Sequence, residues 1–78
     1  MRKVLSRSEA KRLTIKYSHK VREILRINDL SQSELALVFK TSSQSVSRWC
    51  NEKQLPSAEY RQLIDEEYKK AIQLESTH

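Results

Sequence analysis

Between Leu30 and Ser57 the chain reads LSQSELALVFKTSSQSVSRWCNEKQLPS, two short amphipathic patterns separated by a polar break too brief for a loop. Ser31 is placed to cap the first pattern, because its hydroxyl can accept from the Glu34 amide while Glu34 reaches back to close a capping box. A helix is therefore expected from about Gln32. Its apolar residues Leu35, Ala36, Val38 and Phe39 recur at three- and four-residue steps, which predicts an inward stripe about 100° wide. Thr41 and Ser42 interrupt it. Ser42 can cap a second helix running to about Glu52, in which Val46, Trp49 and Cys50 fall at i, i+3 and i+4. By composition alone TSSQSVS reads as a solvated loop. A loop, however, has no reason to place Val46 and Trp49 at helical spacing just after the apolar pair Val38 and Phe39.

The second helix has two chemically distinct sides. At about 100° per residue, Val46, Trp49 and Cys50 share one side, while Gln44, Ser47, Arg48 and Asn51 cluster roughly opposite. Every member of the second set can hydrogen-bond. Glutamine matches the N6/N7 edge of adenine and arginine the O6/N7 edge of guanine, each pair contributing about 1 to 3 kcal/mol of base discrimination. Ser43 stands at the N-terminal end, which meets a groove first. Two helices, a tight turn and such a face make the pattern of a helix-turn-helix that reads duplex DNA.

The order Leu30-Ser31-Gln32, Glu34-Leu35-Ala36, Ser45-Val46-Ser47-Arg48-Trp49, Lys53 and Pro56-Ser57 resembles the helix-turn-helix of the phage repressor, Cro and XRE family of transcriptional regulators. The resemblance covers the middle third of the chain firmly and its flanks weakly. It implies a compact, lambda-repressor-like all-α bundle of four to five helices. It also implies that Gln32 contacts the DNA backbone and braces the reading helix, and that Ser43, Gln44, Ser47 and Arg48 read bases. Asn51 would make a base or backbone contact, with Lys53 and Gln54 near phosphate. Ser42 and Lys40, at the turn, join the DNA-binding and phosphate sets respectively. The chain departs from the family in two places. Lys40 stands where the turn commonly has Gly, and the chain has no Gly at all; a non-Gly residue at positive φ costs about 1 kcal/mol or more. Cys50-Asn51-Glu52 replaces an exit that commonly contains Gly, and Asn51 is expected to take the left-handed position there.

Charge is uneven along the chain. Residues 1–26 hold nine basic side chains (Arg2, Lys3, Arg7, Lys11, Arg12, Lys16, Lys20, Arg22, Arg26) against Glu9 and Glu23, whereas residues 58–78 hold three basic and five acidic ones. A basic segment beside a DNA-reading unit engages phosphates and releases counterions, and Arg2, Lys3, Arg7 and Lys11 are the candidates. The bland alternative is a solvated helix face. Within the same segment Ala10, Leu13, Tyr17, Val21 and Ile24 form one helical stripe, and Ser6 with Glu9 repeats the capping signature. A helix from about Arg7 to Arg26 follows, either continuous or broken near Thr14 to Ser18, where β-branched residues lower propensity. His19 has no second metal ligand near it and His78 belongs to a frayed tail.

Ser57 can cap a last helix from about Ala58 to Leu74, with Tyr60, Leu63, Ile64, Tyr68, Ala71, Ile72 and Leu74 as its apolar set. The members from Tyr68 onward either form a homodimer contact or pack back on the N-terminal helix. Asp65, Glu66 and Glu67 read as a solvated face.

At 78 residues the chain holds one domain, and a domain of this size buries only about 60 to 65% of its unfolded surface. Cys50, the one cysteine, cannot form an internal disulfide and reads as a small buried hydrophobe beside Trp49. No segment approaches a membrane span, and a cytoplasmic, nucleoid-associated location is expected. No phosphate loop, metal-ligand set or nucleophile–base pair is present, so neither catalysis nor a cofactor is expected. The expected partner is double-stranded DNA, acting on transcription most simply as a repressor. The rival is a protein-interaction module of helix-turn-helix shape, an antitoxin or anti-repressor, whose acidic C-terminal helix meets a regulatory protein partner. RNA is the weaker rival, since exposed aromatics for base stacking are few.

Overall fold

The structure, a computed structural model, describes residues 6–76; Arg2, Lys3 and His78 lie outside the described residues. Among these residues there are four helices and no strand: α1 (Arg7–Asn28), α2 (Gln32–Phe39), α3 (Ser43–Cys50) and α4 (Ala58–Ser76). The protein is a small all-α bundle.

α1 starts where the Ser6 hydroxyl accepts from the Glu9 amide at 3.2 Å. It runs without a break through Thr14 to Ser18. The Thr14 hydroxyl is absorbed by the Ala10 carbonyl at 2.8 Å, and burial of Tyr17, Val21 and Ile24 outweighs the few tenths of a kcal/mol that β-branching costs. α2 opens on a complete capping box: the Ser31 hydroxyl accepts from the Glu34 amide at 3.1 Å, and the Glu34 carboxylate accepts from the Ser31 amide at 2.9 Å. The Ser31 backbone bond, helped by the hydroxyl, holds the Glu34 carboxyl below its usual range. Ser42 caps α3 through the Ser45 amide at 3.2 Å.

Three helices end in one way. Asp29, Lys40 and Glu52 adopt φ of 53°, 56° and 59°, and the amide that follows each returns to a carbonyl five residues back: Leu30 to Leu25, Thr41 to Ala36 and Lys53 to Arg48, at 2.8 to 2.9 Å. These are Schellman closures, usually served by Gly, and this chain makes all three with a Cβ in place. The expectation that Asn51 would take the left-handed position is corrected: Asn51 sits at φ −98° and Glu52 makes the reversal. The Asn51 side-chain amide donates to the Ser47 carbonyl at 2.9 Å, beside its own backbone amide on the same carbonyl at 3.0 Å. This doubled bond keeps Asn51 on the helical side, and α3 ends at Cys50 rather than near Glu52.

The core joins Tyr17, Val21 and Ile24 of α1, Leu35, Ala36 and Phe39 of α2, Val46, Trp49 and Cys50 of α3, and Ile64 of α4. Trp49 lies between Phe39, at 6.3 Å between ring centroids, and Tyr60, at 5.1 Å, tilted arrangements that aromatic quadrupoles favour. Val38 is not part of it: the expected stripe included Val38, but that side chain is 53% exposed. On an ideal helix Leu35, Phe39 and Ala36 span about 100°, and Val38 falls about 60° outside that arc. Among the described residues no helix covers that side, and Leu37 beyond it is exposed as well.

α4 packs on α1, and their contacts advance together. The Tyr17 hydroxyl donates to Asp65 at 2.8 Å and Lys20 pairs with the same carboxylate. His19 meets Tyr68 edge-on at 6.4 Å, and Arg26 reaches Glu75 at 3.0 Å. Tyr68 and the buried Ala71 therefore pack back on α1, while Ile72 and Leu74 stay exposed. Asp65 is not a solvated acid, as the sequence suggested; it anchors the α1–α4 seam. Burial would raise its carboxyl, but the hydrogen bonds from Lys20 and Tyr17 and the charges of Lys20 and Lys16 outweigh that and hold it below the usual range.

Candidate nucleic-acid interface

α3 is held from one side only. Val46, Trp49 and Cys50 are buried, and the wholly buried Ser18 hydroxyl donates to the Cys50 carbonyl at 2.8 Å. That bond ties the last turn of α3 to the middle of α1 and fixes the helix in rotation as well as position. Burial pushes the Cys50 thiol above its usual range, with Arg22 partly offsetting it, so the sulfur is a packing group rather than a reactive one.

The opposite side of α3 faces outward. Ser43, Gln44, Arg48 and Asn51 are exposed and Ser47 is half-buried. The Gln44 and Arg48 side chains make no hydrogen bond or ion pair among the described residues, whereas other members of the expected set are partly used inside the protein. The Ser42 hydroxyl serves the cap and meets the Ser45 hydroxyl at 3.1 Å. The Asn51 amide is committed to the Ser47 carbonyl and, at 3.3 Å, the Ser47 hydroxyl; its carbonyl oxygen is what it can still offer. Gln44 and Arg48, one turn apart, are about 6 Å apart along the helix axis, close to two base-pair steps of about 3.4 Å.

Around this face, Gln32 is half-buried in the first turn of α2, Lys40 is exposed at the turn, and Lys53 and Gln54 are exposed on the connection to α4. Arg7 and Lys11 are exposed on the first turns of α1. The Ser18–Cys50 bond marks where α3 meets α1, and Lys11 and Arg7 precede Ser18 by about 10 and 16 Å along the α1 axis. They therefore flank α3 at a distance. The α1 cation at the junction is Arg22, which sequence reasoning did not single out: its guanidinium donates to the Ser18 carbonyl at 3.4 Å. Its i+4 offset from a buried serine was the available signal, but only the α1–α3 contact gives that offset meaning.

Internal pairing sorts the charges. Lys20 is engaged by Asp65, and Arg26 by Glu23 and Glu75. Arg7, Lys11, Arg12 and Arg22 on α1, and Lys40, Arg48 and Lys53 around α3, have no ion pair among the described residues. The surplus of positive charge is thus on the α1–α3 side, while Asp65 and Glu75 of α4 are engaged by α1 cations and Glu67 pairs with Lys70 within α4. Among the described residues no group of His, Cys, Asp and Glu is arranged to hold a metal ion, and no helix is long and apolar enough to cross a membrane.

Fold and site together define a small all-α bundle that presents one polar helix face beside unpaired cations. Comparison with protein-family models, curated proteins and solved structures gives no match.

Proposed function

We propose that this chain is a sequence-specific, duplex-DNA-binding regulator of transcription, of the phage repressor, Cro and XRE kind, that reads the major groove with α3. One observation carries the reading: α3 is locked along Val46, Trp49 and Cys50 while Gln44 and Arg48 project outward with their hydrogen-bonding groups unused. A helix is about 10 to 12 Å wide with its side chains and fits a major groove about 12 Å wide. Ser43 enters first, Gln44 pairs with an adenine edge, and Arg48 pairs with a guanine edge about two steps away. Ser47 and the Asn51 carbonyl add secondary contacts. Gln32, Lys40, Lys53, Gln54 and Arg22 meet phosphates near the groove, with Arg7 and Lys11 flanking. These contacts set register rather than sequence, and transcription responds to occupancy of the site.

Selection from a random duplex pool by the full chain tests this reading. A recovered site with adenine and guanine about two steps apart supports it; a pool that stays random after repeated rounds refutes it.

A further inference from the structure

We propose that the side of α4 turned away from α1 pairs, antiparallel, with the same side of a second copy of this chain. The two-fold axis passes between Tyr68 and Lys69. With Ile64 taken as pointing into the core, about 100° per residue places the α1-facing residues Tyr68, Glu75 and Asp65 between roughly 20° and 100° on one side. Leu63, Glu67, Lys70 and Leu74 fall between roughly 60° and 120° on the other. They form one stripe about 16 Å long. Leu63 is 39% and Leu74 46% exposed, and between them Glu67 and Lys70 form an ion pair at 3.6 Å.

The order of this stripe is what selects the partner. It reads apolar, acid, base, apolar, and on a second copy turned end for end it reads apolar, base, acid, apolar, so leucine meets leucine and each acid meets a base. The pairs 63/74 and 67/70 share one midpoint, so a single two-fold axis sets Leu63 on the partner's Leu74 and Glu67 on the partner's Lys70. The four charges then alternate in a ring. A parallel arrangement stacks like on like and is excluded by repulsion. The exposed apolar pair Leu37 and Val38 on α2 has no such self-complementary charge pattern beside it.

The contact is small. Three turns of one helix per copy bury several hundred Å², below the roughly 1,200 Å² of stable interfaces, so the association is weak and transient and monomer and dimer exchange. The pairing is independent of the DNA-reading assignment. Where that assignment holds, the same axis relates two α3 helices and calls for an inverted-repeat site.

Sedimentation of the full chain without DNA, from about 10 μM to 1 mM in low salt, tests it. Wild type moves from monomer toward dimer mass. Glu67→Lys makes the stripe wholly basic and Lys70→Glu wholly acidic, and each weakens association at least tenfold. Mixing these two variants restores association as a heterodimer, and so does the double swap E67K/K70E. Far-ultraviolet circular dichroism confirms that each variant keeps its helices; for one that does not, the exposed-site variant Leu63→Gln replaces it and must also weaken association. A wild type that stays monomeric to 1 mM, folded variants that associate like wild type, or a mixture no better than its components overturns the proposal.

Discussion

Ser18→Ala isolates the bond that fixes α3. The Ser18 side chain is fully buried, and its hydroxyl reaches the Cys50 carbonyl at 2.8 Å across an α1–α3 contact 32 positions apart in sequence. The substitution removes one oxygen, leaves almost no cavity, and favours the α1 helix by a few tenths of a kcal/mol, since Ala is the better helix former. Against that stands a buried carbonyl left without its partner, which costs about 1 to 3 kcal/mol. Net destabilisation of about 1 to 2.5 kcal/mol follows, and for a domain of this size each kcal/mol moves Tm by about 4 to 8 °C. Urea and thermal melts followed at 222 nm measure it directly. The loss should appear in the midpoint with the slope unchanged, because the surface exposed on unfolding is the same. A Ser18→Ala protein within about 0.3 kcal/mol of wild type would refute the claim that this bond secures the reading helix.

Other consequences follow from the same geometry. Leu35→Ala should destabilise by about 2 to 5 kcal/mol, while Val38→Ser stays within about 0.5 kcal/mol; equal losses in denaturant melts would restore Val38 to the core. Lys40→Gly should stabilise by roughly 0.5 to 1 kcal/mol, because the left-handed backbone at φ 56° no longer carries a Cβ, and a lower melting midpoint would contradict this. Asp65 has its carboxyl depressed in the folded state, so its contribution is present above the usual aspartate range near 4 and is lost as pH falls through the lower folded value. Tyr17 has its hydroxyl raised, by burial first and then by the Asp65 bond and charge. Its contribution is present below about 10 and is lost as pH rises through the higher folded value. Asp65→Asn should flatten both limbs of a stability–pH profile, and an unchanged profile would count against the seam.

Much of this fold was legible in short-range chemistry. The starts of α1, α2 and α3 follow from Ser6, Ser31 and Ser42 and the residue three positions on, and the buried side of α3 follows from Val46, Trp49 and Cys50. Periodicity was less reliable in α2. A short helix admits more apolar positions than one neighbour can cover, and Val38 stayed outside because no helix among the described residues covers its side. Exit geometry was half legible: Lys40 took the left-handed turn as its position required, but the Asn51–Ser47 bond moved the second reversal to Glu52. The tertiary polar pairs were not legible. Ser18 with Cys50, and Tyr17 and Lys20 with Asp65, join residues 32 to 48 positions apart; Ser18, Lys20 and Asp65 taken alone read as ordinary surface residues, and the apolar periodicity that places Tyr17 and Cys50 inward does not name a polar partner for either. For the candidate site, sequence gave the outward face of α3, while the structure ranked it. Gln44 and Arg48 are unengaged, and Ser42, Ser47 and Asn51 are partly spent on the helix itself.

The central claim is that Gln44 and Arg48 discriminate bases while the surrounding cations hold phosphate, and a base-by-base affinity panel tests it most directly. Duplexes carrying every single substitution of the selected site are titrated with wild type, Gln44→Ala, Arg48→Ala and Lys53→Ala at fixed salt. The account predicts that Gln44→Ala and Arg48→Ala each erase about 1 to 3 kcal/mol of preference at one position, the two positions lying about two steps apart. Lys53→Ala should weaken every duplex alike and lower the salt slope by about one. Uniform loss across the panel for Gln44→Ala and Arg48→Ala would contradict the account.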